Sequence, residues 1–229
     1  MIPARSPSWG QRKEWTMRIL IADDHGIVRQ GLRSLIQTRL NHEVIGEAED
    51  GVAAVRMAGE LRPEVVIMDV TMPNLNGIEA TRLIRKQYPQ VKVIALSMHP
   101  EKHIVKEALE AGASAYVLKS YLFDDLSKAI DAVAAGRRYL SPKITDVVLE
   151  DYISSTDQQQ AKAKLSTRDR QIIQMLAEGK SIKQIAMALH ISPKTADAAR
   201  RKIMQKVGVT SVAELVKFAV REGITSLEF

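Results

Sequence analysis

The sequence predicts a five-stranded, doubly wound parallel α/β sheet of the flavodoxin-like kind, followed by a small all-α unit of four helices. Three observations predict it. Four short apolar runs, Ile19–Ala22, Val65–Met68, Val93–Leu96 and Ala115–Leu118, are continuous rather than alternating, as strands buried on both faces must be. Helical spacing fills the stretches between them. Beyond residue 165 only helical patterns remain, each with start and stop signals.

A weaker fifth strand, Glu43–Ile45, follows the first helix, whose stripe is Ile27, Leu32, Leu35, Ile36 and Leu40. Further stripes are Ile78, Leu83 and Ile84; Ile104, Val105 and Leu109; and Leu126, Ile130 and Val133. Strand and helix thus alternate five times, which gives a parallel sheet with right-handed crossovers. Residues 1–16 contain basic residues but no apolar stretch and are expected to be a disordered tail. The α/β domain is expected over 17–138 and a linker over 139–164, where Ser154–Lys164 is polar and aperiodic and a short helix is expected across Ile144–Tyr152. The last domain spans 165–229. Ser166 with Asp169 resembles a capping box, Gly179 stops the first helix, and Ser192-Pro193 starts a third that ends at Gly208. A last helix is expected over 212–220. Two short helices with a tight turn, the second capped and basic, make a helix-turn-helix.

The 229 residues carry no cysteine, which excludes disulfides and thiolate chemistry and fits a cytoplasmic location. No apolar run approaches the roughly 20 residues that span a bilayer. The net charge of +6 is unevenly placed: from Leu165 onward eleven basic residues face six acidic ones, a surplus of five. A basic module beside a near-neutral body suits a polyanion.

In open α/β sheets function sits at the carboxyl ends of the strands. Here those ends carry Asp23-Asp24, Asp69, Ser97 and Lys119. Carboxylates converging in one crevice repel one another unless a cation joins them, and an oxygen-rich site of few ligands suits Mg²⁺. A carboxylate beside Mg²⁺ and a lysine can attack phosphorus, because both cations offset charge on the transferring group. Each residue alone reads as a turn former or cap; five at corresponding strand ends do not.

The stretches RILIADDHGIVRQGL, VVIMDVTMPNLNG, VIALSM and GASAYVLK resemble the receiver domain of two-component response regulators. The resemblance implies that Asp69 accepts a phosphoryl group from a sensor histidine kinase. It implies that Asp23 and Asp24 hold Mg²⁺ with Asp69 and the carbonyl of Thr71, that Ser97 and Lys119 contact the phosphoryl group, and that Tyr116 is the aromatic switch residue. His99 and Thr71 are expected to influence how fast water reaches a phospho-aspartate. Gly26 and Ser120 stand where the family often has proline.

The stretch LSTRDRQIIQMLAEGKSIKQIAMALHISPKTADAARRKIMQKVGV resembles the LuxR-type helix-turn-helix of the NarL/FixJ subfamily. Its third helix would enter the major groove of double-stranded DNA. Contacts would then fall on Lys194, Thr195, Asp197, Ala198, Arg200, Arg201, Lys202 and Lys206. Arg201 can read guanine, Asp197 can accept from cytosine or hold Arg201, and Arg200, Lys202 and Lys206 suit phosphates. Ala199 stands where the family usually has histidine, so a target sequence does not carry over. DNA half-sites and the apolar last helix, with Ala213, Leu215, Val216 and Phe218, suggest a homodimer on DNA; contact with RNA polymerase is a further expectation, and neither a membrane nor enzymatic turnover is expected. Paired aspartates with Mg²⁺ also serve aspartyl-phosphate phosphohydrolases, a reading that leaves the basic helices without a role. A regulator that works without phosphorylation is a third reading, against which the full set of five residues stands.

Overall fold

The computed structural model describes residues 16–146, 148 and 165–225. The tail expected over 1–16, apart from Thr16, and the polar stretch Ser154–Lys164 lie outside the described residues. The chain runs β1 (Arg18–Ala22), α1 (Gly26–Ser34) with a π-helical turn at Leu35–Arg39, β2 (Glu43–Ala48), α2 (Gly51–Leu61) and β3 (Val65–Asp69). It continues through α3 (Gly77–Gln87), β4 (Lys92–Ser97), α4 (Lys102–Glu110), β5 (Ala115–Leu118), a 3₁₀ turn at Lys119–Tyr121, α5 (Leu122–Ala134) and β6 (Tyr139–Leu140). A turn of helix at 142–146 (α6) follows. The strands pair in the order β2-β1-β3-β4-β5-β6, all parallel.

Both faces of the sheet are covered, which is why its strands read as continuous apolar runs; every residue of β3 is buried. Ile19, Ile21, Ile67 and Leu96 pack with Leu32 and Ile36 of the first helical segment and with Leu126 and Ile130 of α5. Leu20, Val66, Met68 and Val93 point the other way and pack with Ala54 and Ala58 of α2 and Ala80 and Ile84 of α3. The alternation within one run splits the core into two layers.

Two features differ from expectation. The sheet has six strands, not five, and Tyr139–Leu140, expected at the start of a linker, form the sixth. Tyr139 N–H donates to Ser114 O at 3.2 Å and Ser141 N–H to Tyr116 O at 3.0 Å. Behind them Ile144 is fully buried among Ile104, Val105 and Tyr116. A two-residue strand has no period to read; it exists because β5 would otherwise leave an open edge. The helix expected from Ile144 starts at 142, and its continuation past 148 lies outside the described residues.

The C-terminal unit holds α7 (Thr167–Ala177), α8 (Ile182–Ala188), α9 (Pro193–Val207) and α10 (Val212–Arg221). Ser166 and Asp169 form a reciprocal capping box at 3.1 and 3.0 Å, so the shorter Asp suffices. Ser192 caps α9 through Thr195 N–H at 3.0 Å, and Gly208 ends it at φ 74°. Ile172, Ile173, Ile185, Ala196, Ile203 and Leu215 form a separate small core. Among the described residues no helix is long and apolar enough to cross a membrane.

Candidate acid site and nucleic-acid interface

Strand order decides the site. Because β1, β3, β4 and β5 are neighbours, the residues at their carboxyl ends share one crevice. Lys119 sits at its centre: its Nζ lies 2.7 Å from Asp23 Oδ2 and 2.8 Å from Asp69 Oδ2. Asp23 and Asp69 are buried, while Asp24 is partly open at the mouth. One ligand atom from each of Asp23, Asp24, His25 and Asp69 lies within 4.8 Å of the others. Three of the four donors are carboxylate oxygens, the His25 imidazole is paired with Asp24, and the open Asp24 leaves room for water. That set fits a hard divalent cation that keeps part of its hydration, as Mg²⁺ does.

Burial pushes the Asp69 carboxyl up to about 7, Lys119 pulls it back, and Asp23 adds to the rise. For Lys119 burial works the other way, yet Asp69 and Asp23 outweigh it and hold the ammonium above its usual range. If Asp69 is one of the ligands of such a cation, a proton would compete for the same carboxylate, and Mg²⁺ affinity is expected to rise roughly tenfold per pH unit on approaching neutrality and to level off above it. Isothermal titration across that range checks this; a flat profile would show that Asp69 is not among the ligands.

Thr71 joins the site through its backbone: its N–H donates to Asp69 Oδ1 at 3.3 Å. Ser97, buried, accepts from His99 N–H at 2.9 Å and lies beside the Tyr116 hydroxyl. Tyr116 is fully buried and donates to the His99 carbonyl at 2.7 Å, and its burial raises its phenol well above the ordinary value. Its ring is thus turned inward, and the β4–α4 loop links Ser97, His99 and Tyr116. The sequence reading passed over two participants. His25 Nδ1 lies 2.8 Å from Asp24 Oδ1, and its signal was its place directly after the aspartate pair. Arg29 Nη1 donates to the Asp23 carbonyl at 2.7 Å and holds that corner, without a local signal.

On α9 the faces divide. Ala196 and Ile203 point into the core and Ala199 packs against it; Lys194, Thr195, Ala198, Arg201, Lys202 and Lys206 are exposed. Asp197 holds two arginines at once, Arg200 Nη2 through one oxygen and Arg201 Nη2 through the other, both at 2.7 Å. Thr195 shares its hydroxyl with Ser192 at 2.8 Å. Lys206 pairs with Asp169 at 3.0 Å, which ties the end of α9 to the start of α7.

Residues 19–131 match the family model for the response regulator receiver domain, and residues 163–219 match that for bacterial regulatory proteins of the luxR family. The chain is 36% identical over 209 residues to the response regulator GacA of Pseudomonas protegens, covering 91% of this chain and 97% of that one. It resembles, with 27% identity and a TM-score of 0.60, RcsB from Salmonella enterica serovar Typhimurium bound to promoter rprA in the presence of the phosphomimetic BeF3⁻, over 89% of this chain and 98% of that one. A second RcsB structure, two dimers bound to two parallel DNAs, matches with 27% identity and a TM-score of 0.55 over 89% and 97% of the two chains.

Proposed function

This chain belongs to the response regulators that join a receiver domain to a luxR-type DNA-binding domain, and from that premise we propose that Asp69 accepts a phosphoryl group from a sensor histidine kinase and thereby controls DNA binding by α9. The observation that carries the reading is Lys119 bridging the buried Asp23 and Asp69 at the centre of the carboxylate crevice. Asp69 supplies the nucleophilic oxygen. Asp23 and Asp24 would hold Mg²⁺, with the Thr71 carbonyl completing the protein ligands; the bound cation offsets charge on the transferring oxygens. Lys119, held by Asp23, would offset the same charge and keeps the Asp69 oxygen in place through its contact at 2.8 Å. Ser97 can give its hydroxyl to a phosphoryl oxygen once it leaves the His99 backbone, and Tyr116, already inward, reports that move. The acyl phosphate is a stored signal rather than a turnover product, so the chain is a transcription regulator and not an enzyme.

For DNA, Lys194 and Thr195 lie at the positive end of α9 and suit a backbone phosphate. Arg201 suits a guanine edge, Asp197 orients both arginines, Arg200, Lys202 and Lys206 suit phosphates, and Ala198 allows close approach. A pair of half-sites bound by a homodimer follows from the same family geometry, and contact with RNA polymerase would place the output at transcription. Arg201→Ala is expected to cost about 1–3 kcal/mol on a specific site while leaving affinity for random duplex nearly unchanged. Fluorescence anisotropy on both duplexes decides it; an equal loss on the two would make Arg201 a phosphate contact. The whole reading is tested by Mg²⁺-dependent labelling with acetyl phosphate followed by DNA binding. Steady release of phosphate from small phosphomonoesters would favour a phosphohydrolase instead, and DNA binding indifferent to labelling would favour a regulator that needs no phosphorylation.

A further inference from the structure

The lysine at the centre of the crevice stands on a turn that is itself outside the core. No residue of the 3₁₀ turn Lys119–Tyr121 is buried. The place of the lysine backbone therefore depends on the two ends of the turn: Leu118, which closes β5, and the first turn of α5. Both ends are held by the short segment 139–141.

At the first end Leu118 is buried, and its N–H is the last donor of β5. In a parallel ladder that N–H would take a carbonyl of the neighbouring strand. The Ser141 carbonyl is already engaged: Ile144 and Thr145 N–H donate to it at 2.8 and 3.0 Å and open α6. The Ser141 hydroxyl stands in, accepting from Leu118 N–H at 3.3 Å. Ser141 is fully buried, and its own N–H donates to Tyr116 O at 3.0 Å. One serine thus fixes the backbone on both sides of Val117, directly before Lys119.

At the second end Tyr139 donates its hydroxyl to Asp125 Oδ1 at 2.8 Å. Asp125 lies in the first turn of α5 and is buried, and its Oδ2 has no hydrogen-bond partner among the described residues. Lys128 Nζ stands 3.6 Å from Oδ1, beyond hydrogen-bond length. The phenol is therefore what fixes this carboxyl. Burial, and then Asp125, push the phenol up to about 12, so it stays a donor at neutral pH.

We infer that β6 is the seat of Lys119: Ser141, acting through Leu118, and Tyr139, acting through Asp125, are positioning residues for phosphoryl transfer to Asp69. This rests on Asp69 being the acceptor and on Lys119 meeting the phosphoryl group. The ammonium sits on a flexible four-carbon stem, so it is placed only as well as its backbone. Asp23 and Asp69 hold Nζ at 2.7 and 2.8 Å, but the Asp69 contact must yield as that carboxylate becomes an acyl phosphate. From then on Asp23 and the backbone seat set the reach. A misplacement of about 1 Å can cost on the order of a hundredfold in rate, and loss of one of the two holds is expected to cost about tenfold.

The test follows labelling of the full chain by acetyl phosphate at saturating Mg²⁺. Label is read as intact mass, at a temperature where circular dichroism shows each variant folded. Ser141→Ala and Tyr139→Phe are each expected to label about tenfold more slowly than wild type. A general loosening would also slow labelling, so each substitution is repeated together with Lys119→Ala. With the lysine gone there is nothing left to position, and neither substitution is expected to slow labelling further. Equal slowing with and without the lysine would overturn the seat, as would wild-type rates in both single variants. Tyr139→Phe keeps the ring and removes one oxygen, so it decides the question if Ser141→Ala does not fold. Label persisting in Asp69→Asn would instead overturn the choice of acceptor, and a wild-type rate in Lys119→Ala the role of the lysine, which keeps these failures apart.

Discussion

Replacing Asp69 with asparagine is expected to abolish Mg²⁺-dependent labelling by acetyl phosphate, with a fall in rate of about a hundredfold or more. The amide keeps the shape of the carboxyl and so the packing at the end of β3, but it presents no anionic oxygen to attack phosphorus. It also removes one of the two carboxylates that hold Lys119; Asp23 retains the lysine at 2.7 Å, so the crevice should not collapse. Intact mass after incubation with the donor reads the result directly. Label that survives, on Asp23 or Asp24 for example, would reject Asp69 as acceptor.

The same variant carries a stability signature whose sign follows from burial. The Asp69 carboxyl sits at about 7 in the folded protein against 3.8 in its reference state, so the fold prefers its protonated form. Its contribution is therefore fully present below about pH 4 and is lost as pH rises to about 7, an effect on the order of 4 kcal/mol without a divalent cation. Asp69→Asn does not ionise. Its melting temperature relative to wild type is expected to climb over that interval in chelator. Mg²⁺ should narrow the gap by offsetting the buried charge in the wild type. A constant difference from pH 4 to pH 8 would contradict the burial of an ionising carboxylate there.

Gly77→Ala is expected to be the most damaging single methyl in the receiver. Gly77 opens α3, and its N–H donates to Val70 O at 2.9 Å. A Cβ at this position would stand 1.8 Å from the carbonyl oxygen of Asp69 and 2.8 Å from its carbonyl carbon. Those atoms are backbone in the central strand, so no rotamer change relieves the overlap; α3 must lift from β3, dragging the 70–76 loop with it. About 3 kcal/mol or more is expected to be lost, a fall in the melting temperature of roughly 6–12 °C for a unit of this size. Labelling should weaken in parallel because Asp69 moves. Gly31→Ala provides the contrast: nothing lies within 4 Å of its added Cβ inside α1, so it should stabilise by about 0.5–1 kcal/mol. Thermal scans of the two variants side by side distinguish steric overlap from a general intolerance of substitution.

What the sequence determined by itself was whatever depends on short stretches of chain. Continuous apolar runs announce buried strands, and a residue directly after such a run must lie at the carboxyl edge of the sheet. Asp23, Asp24, Asp69, Ser97 and Lys119 were therefore legible as candidates at that edge from the sequence alone. The capping signals at Ser166, Ser192 and Gly208 act within one helical turn and were equally readable. Helix α2 was harder, because its alanine-rich face shows no strong stripe. The tertiary structure alone decided the rest. The order of strands brings Lys119 onto Asp23 across 96 positions, and strand β6 exists only as the partner of β5. Gln174 is the clearest case. A polar residue on an amphipathic helix reads as solvent-facing, yet here it is buried against Asn76, 98 positions away. Burial of an amide depends on whether distant backbone groups arrive to satisfy it, and no local pattern records that.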